Sequence, residues 1–397
     1  MTSPLAAPTR GGPPERPATT RQHFPDEIRG LALLGIAVVN APFLATSLDG
    51  FAGRGDASSQ AAWFLVTVLF LGKFYLIFAF LFGYSATLMM RGADRVARTR
   101  FARRLAGLAA LGVAHALLLF LGDILVLYSV LGVALVILVT RGDRAVLRTA
   151  VAATAVAAAW LVVVVALATT TDARGDGAQT ELTSSFDEAM SGSFGEAVVA
   201  RWELYGSVLV LLLTLNGGLS LAMFCLGLVA GRRRLLADPD PASPLWRRAR
   251  RWGLVVGLPL ALVAGALSLR GGDDTGWLML GLAVGFVGAP ALTAGYLGLL
   301  VALRARRRSA LAVFRPAGRM SLTIYVGESL LLSAVVNGWG LGLFGQLDPF
   351  AVLGLAVAAW AALDLLAHLW MRRFTQGPLE YLLRWWTYGR RPRLRAG

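Results

Sequence analysis

The chain has 397 residues, 56% of them hydrophobic and only 15% charged, with a mean hydropathy of +0.64. A soluble domain carries roughly 25% charged residues, so a water-soluble globule is excluded and a membrane bundle is expected. The net charge of +15 does not point to nucleic acid, because the basic residues fall in short segments between apolar runs.

Residues 1–27 read as a disordered cytoplasmic tail, the first 21 of them rich in Pro, Thr, Gly and Arg. No small-residue cleavage site follows, so the first apolar run reads as a retained anchor. Ten apolar runs come next, at 28–46, 62–90, 105–121, 124–140, 146–168, 205–231, 252–269, 277–303, 320–338 and 350–371. A helix needs about 20 apolar residues to cross the hydrocarbon core. The fold class is therefore all-α, a polytopic integral membrane protein of about ten transmembrane helices. The second run is long enough to tilt or emerge from the bilayer. The third and fourth are short and meet at Gly122-Asp123, which reads as a tight helical hairpin.

Arginine placement orients the bundle. Lys73 is the only lysine. With the N-terminus inside, 33 of the 38 basic residues fall in cytoplasmic segments. Positive charge is retained on that side, so both termini are expected in the cytoplasm of a cell-membrane protein. The acidic segment 169–204 is the longest outer loop and separates a first five-helix half, 28–168, from a second, 205–371. No internal repeat or pair of Pro/Gly-broken spans marks a transporter plan. Residues 372–397 form a basic, aromatic tail. Within it, 377–386 reads as a short helix at the headgroup layer, with Trp385, Trp386 and Tyr388 beside Arg384, Arg390 and Arg391.

Cys225 is the only cysteine, and His23, His115 and His368 are scattered, so no metal site is expected. Ionisable groups inside spans are the candidates for function. His115 lies in the outer part of its span, and an imidazole, titrating near neutrality, suits general-base work; the alternative is a hydrogen-bonded bridge between helices. Asp123 can orient that histidine, cap the fourth span, or do both. The eight-residue spacing corresponds to ~12 Å along a continuous helix, so direct contact requires a turn at Gly122. Lys73 and Glu328 lie at similar mid-span depth and are plausible ion-pair partners. Asp364 and His368 share a helix face four residues apart and read as structural. Arg29 opens the first span, where it anchors the helix or meets a phosphate. Asn40 closes that span on the outer side.

Several blocks taken together resemble a known family. They are Ile28-Arg29-Gly30-Leu31 through Asn40; Gly72-Lys73-Phe74 with Phe80-Leu81-Phe82-Gly83-Tyr84; and Arg103-Arg104-Leu105. Further along come Gly112-Val113-Ala114-His115 with Gly122-Asp123-Ile124-Leu125 and Tyr128, and Met223-Phe224 with Leu226-Gly227. The last are Ala317-Gly318-Arg319-Met320-Ser321-Leu322-Thr323 with Tyr325, and Gly377-Pro378-Leu379-Glu380 with Arg384. Their order over residues 28 to about 390 resembles the YeiB-like membrane proteins, catalogued as domain of unknown function 418. That family's opening segment is similar to transmembrane acyltransferases, including the heparan-α-glucosaminide N-acetyltransferase group and the sugar O-acyltransferases. The resemblance implies transfer of an acyl group from cytoplasmic acyl-CoA to an extracytoplasmic or lipid-linked acceptor. The O-acyltransferases carry a histidine near the outer end of the first span, where this chain has Asn40; His115 is the only histidine in its outer half.

The expected site therefore has His115 as base and Asp123 as its orienting group. Arg29, Arg103 and Arg104 would meet the CoA phosphates, with Asn40, Lys73 and Glu328 along the substrate path. Acyl-CoA is the expected donor, membrane lipid and the acceptor the expected partners, and a homodimer is allowed for. The rival readings are a small-molecule transporter using Lys73, Glu328 and Asp364, and a non-catalytic membrane partner.

Overall fold

The computed structural model describes residues 22–47, 56–171, 177–270 and 275–395. The described residues are helical almost throughout, with one isolated antiparallel bridge between Phe374 and Arg395. The helices are α1 (Phe24–Ala45), α2 (Ala57–Leu69), α3 (Lys73–Met89), α4 (Arg95–Leu118), α5 (Ile124–Leu138), α6 (Asp143–Thr171), α7 (Gly177–Ser191) and α8 (Phe194–Arg232). They continue as α9 (Pro244–Arg270), α10 (Thr275–Arg306), α11 (Arg308–Ala312), α12 (Arg315–Arg319), α13 (Ser321–Val336), α14 (Pro349–Trp370) and α15 (Pro378–Tyr388). Each of the ten apolar runs is helical. Eight give candidate spans long and apolar enough to cross a membrane, one of them, 57–89, taken across α2 and α3 together; α5 and α13 are the two shorter apolar helices.

The outer surface shows what surrounds the bundle. On α6, Val151, Val156 and Val162 are 70%, 68% and 69% exposed. A soluble protein does not display valines in that density along a helix of 29 residues; a lipid-facing one does. The protein is a polytopic membrane protein.

Three boundaries differ from expectation. The N-terminal tail ends earlier than residue 27, because Pro25 in the first turn starts α1 at Phe24; residues 1–21 of that tail lie outside the described residues. The long second run is two helices rather than one tilted helix. Residues 70–72 form a turn in which Gly72 takes φ +85°, a conformation that favours glycine. The acidic outer segment is largely helical. Ser193 and Glu196 form a capping box that starts α8 well before its apolar part, giving 39 residues and about 58 Å of helix.

The two sequence halves interleave. From the first half, α1 packs on α12, α13 and α14; from the second, α8 packs on α3 and α6. One apolar core forms around α3, α5 and α8, and a second around α1, α13 and α14. Close approach depends on glycine. A Cβ on Gly227 of α8 would run into the Phe80 carbonyl of α3, and one on Gly83 of α3 into the Phe224 carbonyl of α8. Small residues that bring backbones together are the usual basis of helix association in lipid.

The predicted headgroup helix is α15, and it is bolted to the bundle. Glu380 Oε1 accepts from the Leu322 and Thr323 N–H groups at 2.7 and 3.2 Å, and Oε2 accepts from Thr323 Oγ1 at 2.6 Å. A glutamate from α15 thus satisfies the orphan donors at the start of α13. Trp386 Nε1 donates to the Arg103 carbonyl at 2.7 Å, tying α15 to α4 as well. Burial pushes the Glu380 carboxyl above its usual range, outweighing the donors that favour its charge. A carboxyl raised on folding stabilises most when protonated, and that increment is lost as pH rises through its folded pKa. Glu380→Ala should cost about 1–3 kcal/mol by orphaning buried donors. The difference between wild type and Glu380→Gln in tryptophan-monitored unfolding should shift in favour of Gln from acid to neutral pH.

Candidate functional site

The α4–α5 corner builds the site. Helix α4 ends when the Leu119 and Phe120 N–H groups both bond to the His115 carbonyl, at 2.9 and 3.0 Å. The chain then turns, and Asp123 caps α5 by accepting from the Val126 N–H through Oδ2 at 2.9 Å. The turn brings the other oxygen, Oδ1, to 2.9 Å from His115 Nδ1. Gly112 is required beneath it, because a Cβ there would meet Asp123 Oδ2 at 2.7 Å. Asp123 therefore both caps the helix and holds the histidine. Both side chains are buried, at 3% and 2% exposure.

Tyr325 of α13 completes the cluster. Its hydroxyl accepts from the Ile124 N–H at 3.2 Å and donates to Asp123 Oδ1 at 3.4 Å. Its ring lies 4.8 Å from the imidazole, centroid to centroid. A carboxylate only accepts, so His115 presents its proton from Nδ1. In the neutral imidazole the lone pair is then on Nε2. Nε2 is buried and has no hydrogen-bond partner among the described residues. The result is a histidine oriented by a carboxylate with its second nitrogen free, the arrangement of a general base.

Glu328 lies one turn beyond Tyr325 on the same face of α13. Further along that face, Ser333 Oγ donates to the Leu119 carbonyl at 3.2 Å. Glu328 thus sits between two points where α13 touches the end of α4. Both of its carboxyl oxygens are buried without a partner among the described residues. The anticipated ion pair with Lys73 does not form. The break at Gly72 puts Lys73 at the start of α3, where Nζ turns back and donates to the Thr67 carbonyl at 2.5 Å. Lys73 satisfies a carbonyl freed by the break, and Tyr296 Oη satisfies another, that of Leu69, at 3.0 Å.

A helical cap covers the cluster on the face away from most arginines. Arg201 of α8 is only 2% exposed; it donates to the Leu118 carbonyl at 3.1 Å and approaches Met190 Sδ of α7 at 3.4 Å. With its amide oxygen turned toward Arg201, Asn337 accepts from Nη2 at 2.7 Å. Tyr205, also on α8, lies within electrostatic range of Asp123. Tyr325, Arg201 and Tyr205 were not identified from sequence as site residues. Arg201 is one of four arginines that the topology assigns to the outer side, so charge placement alone does not single it out.

The other candidates lie apart from His115. Arg29 donates to Asp26 Oδ1 and Ser85 Oγ, each at 2.9 Å, in a network that also ties Glu27 to Arg304 and Arg315. Arg103 Nη2 donates to the Trp386 carbonyl at 2.8 Å. Arg104 lies near Arg29, Arg384 and Glu380. It is 11 residues before His115 on α4, about 16 Å along the axis. Asn40 is half-buried at the far end of α1 from Arg29. His368 Nδ1 lies 3.3 Å from Asp364 Oδ2, the structural contact expected from their spacing. No group of three or more metal-ligating side chains occurs among the described residues.

Comparison with known proteins finds similarity to proteins of unknown function. Residues 230–390 match the family described as "Protein of unknown function (DUF418)", a segment that holds Tyr325, Glu328 and Glu380 but not His115 or Asp123. The chain is 28% identical to the Bacillus subtilis (strain 168) "Uncharacterized protein YxaH" over 91% of its own length and 93% of the relative's. It is 27% identical to the Escherichia coli (strain K12) "Uncharacterized protein YeiB" over 90% and 94%. A shorter match, 32% identical over 122 residues, is to a Bacillus acidopullulyticus "Uncharacterized 39.9 kDa protein in amylase 3'region". No solved structure matches. Over nine-tenths of each chain this protein is thus similar to YxaH and YeiB, and its residues 230–390 match the DUF418 family model.

Proposed function

We propose that this protein is an acyltransferase of the cell membrane, with both termini in the cytoplasm. It would take an acyl group from cytoplasmic acyl-CoA and pass it to a hydroxyl or amine of an extracytoplasmic or lipid-linked acceptor. The observation that carries this reading is His115, bonded through Nδ1 to Asp123 with Nε2 free and buried. Nε2 takes the proton from the acceptor as its oxygen or nitrogen bonds to the thioester carbonyl carbon. The C–S bond then breaks, and the imidazolium returns the proton to the leaving CoA thiolate. Tyr325 and Asp123 hold the ring through this cycle. Arg104, with Arg29, Arg103 and Arg384 around it, supplies positive charge for the CoA phosphates on the arginine-rich face. The phosphopantetheine arm would run along α4 toward His115, past Glu328.

One observation favours a second reading, a small-molecule transporter. The second span is broken at Gly72, and Lys73 and Glu328 are buried without opposite charges among the described residues. Purified protein in liposomes separates the two. Acyl-CoA labelled in its acyl group, added on one side only, should yield labelled acceptor and free CoA. Solute movement without acyl-CoA consumption would instead support the transporter and overturn the acyltransferase.

A further inference from the structure

Beyond Trp370 the chain turns through residues 371–373 before α15 docks on α13. Between α13, the last turns of α14 and this turn lies a groove of about 580 Å³. That is within the ~300–1,000 Å³ of ordinary ligand clefts. Its walls are apolar, with Ile324 from α13 and Leu363, Leu366 and Trp370 from α14. Leu366 is 58% exposed, so the groove opens sideways toward the bilayer. Arg372 and Arg373, both exposed, also line it.

The chemistry of this groove is divided along its length. The arginines follow directly on the last apolar turn of α14, on the face where α15 carries Trp385 and Trp386. That is the level of lipid headgroups. Neither guanidinium forms an ion pair with a carboxylate among the described residues. Orientation by positive charge accounts for arginines at this level but not for a concave apolar slot beside them. A guanidinium pair beside an apolar slot open to hydrocarbon fits one occupant. We infer that the groove binds a membrane phospholipid with an anionic headgroup, its phosphate on Arg372 and Arg373 and one acyl chain along Leu363 and Leu366. The site is separate from the His115 cluster and does not depend on its chemistry.

The test uses the full chain, delipidated in detergent and titrated with dioleoyl phosphatidylglycerol or dioleoyl phosphatidylcholine, with binding read by native mass spectrometry. Phosphatidylglycerol should bind roughly tenfold more tightly than phosphatidylcholine. Arg372→Gln with Arg373→Gln should remove that preference, and Leu366→Trp, which fills the slot while leaving the charges, should weaken both lipids. Arg390→Gln with Arg391→Gln removes equal charge elsewhere and should change neither. Equal binding of the two lipids by wild type would overturn the inference. So would equal loss in the Arg390/Arg391 pair, which indicates diffuse charge attraction. Competition by inorganic phosphate alone, without any effect of Leu366→Trp, would reduce the site to one for free anions and likewise overturn it.

Discussion

Replacing His115 with alanine should lower acyl transfer by roughly 10²–10⁴-fold, the share that a general base contributes. The variant should still fold. Nε2 has no partner among the described residues to lose, and Asp123 keeps the Val126 N–H and the Tyr325 hydroxyl as donors. Asp123→Asn can still cap α5 through its amide oxygen, but it offers His115 Nδ1 a neutral partner that no longer stabilises an imidazolium. Its loss of rate should approach that of His115→Ala while its unfolding temperature stays close to wild type. Tyr325→Phe should fall between these variants and wild type, since it removes one donor to Asp123 and leaves the Ile124 N–H without its acceptor. Undiminished turnover of labelled acyl-CoA by His115→Ala would make the His115–Asp123 pair a structural bridge between α4 and α5.

The largest effect on stability is expected at the α3–α8 seam. Gly227→Ala places a Cβ against the Phe80 carbonyl and near the Tyr84 amide nitrogen, both backbone atoms that cannot swing aside. The helices must separate, at about 1–3 kcal/mol for overpacking, and Gly227→Val should cost more. Gly354→Ala in α14 is the control, because nothing lies within 4 Å of its added Cβ. It should be neutral or slightly stabilising, as expected for a helical glycine. Thermal unfolding in detergent checks both, and equal behaviour of the two sites would refute the close packing of α3 on α8.

Hydropathy and charge made the frame legible, because a helix in lipid must be apolar over its whole length and arginine marks one side. The same property hid the break in the second span. Phe70, Leu71 and Gly72 are as compatible with a continuous apolar helix as with a turn, and the partner that stabilises the turn, Tyr296, lies more than 200 residues away. His115 and Asp123 could be paired from sequence because a glycine-bearing turn between two short helices folds one onto the other. Tyr325 could not, since its contact with Asp123 spans 202 positions and depends on how α13 packs. Glu328 was recognisable as an intramembrane carboxyl. Its lack of a partner was not, because similar depth does not bring Lys73 to the same side of the bundle.

Arg201 bears on how fast such a site can work. Its guanidinium reaches from α8 to the last turn of α4, to Met190 of α7 and to Asn337 at the end of α13. In the proposed reaction, admitting an acceptor past Arg201 would break these contacts together, leaving a buried cation and the Leu118 and Asn337 carbonyl oxygens briefly unmatched. Such an opening would be cooperative and steeply temperature-dependent, and in the proposed reaction it would precede proton transfer at His115. The slow step of the proposed reaction would then lie in α7 and α8, at residues that do not touch the reacting atoms.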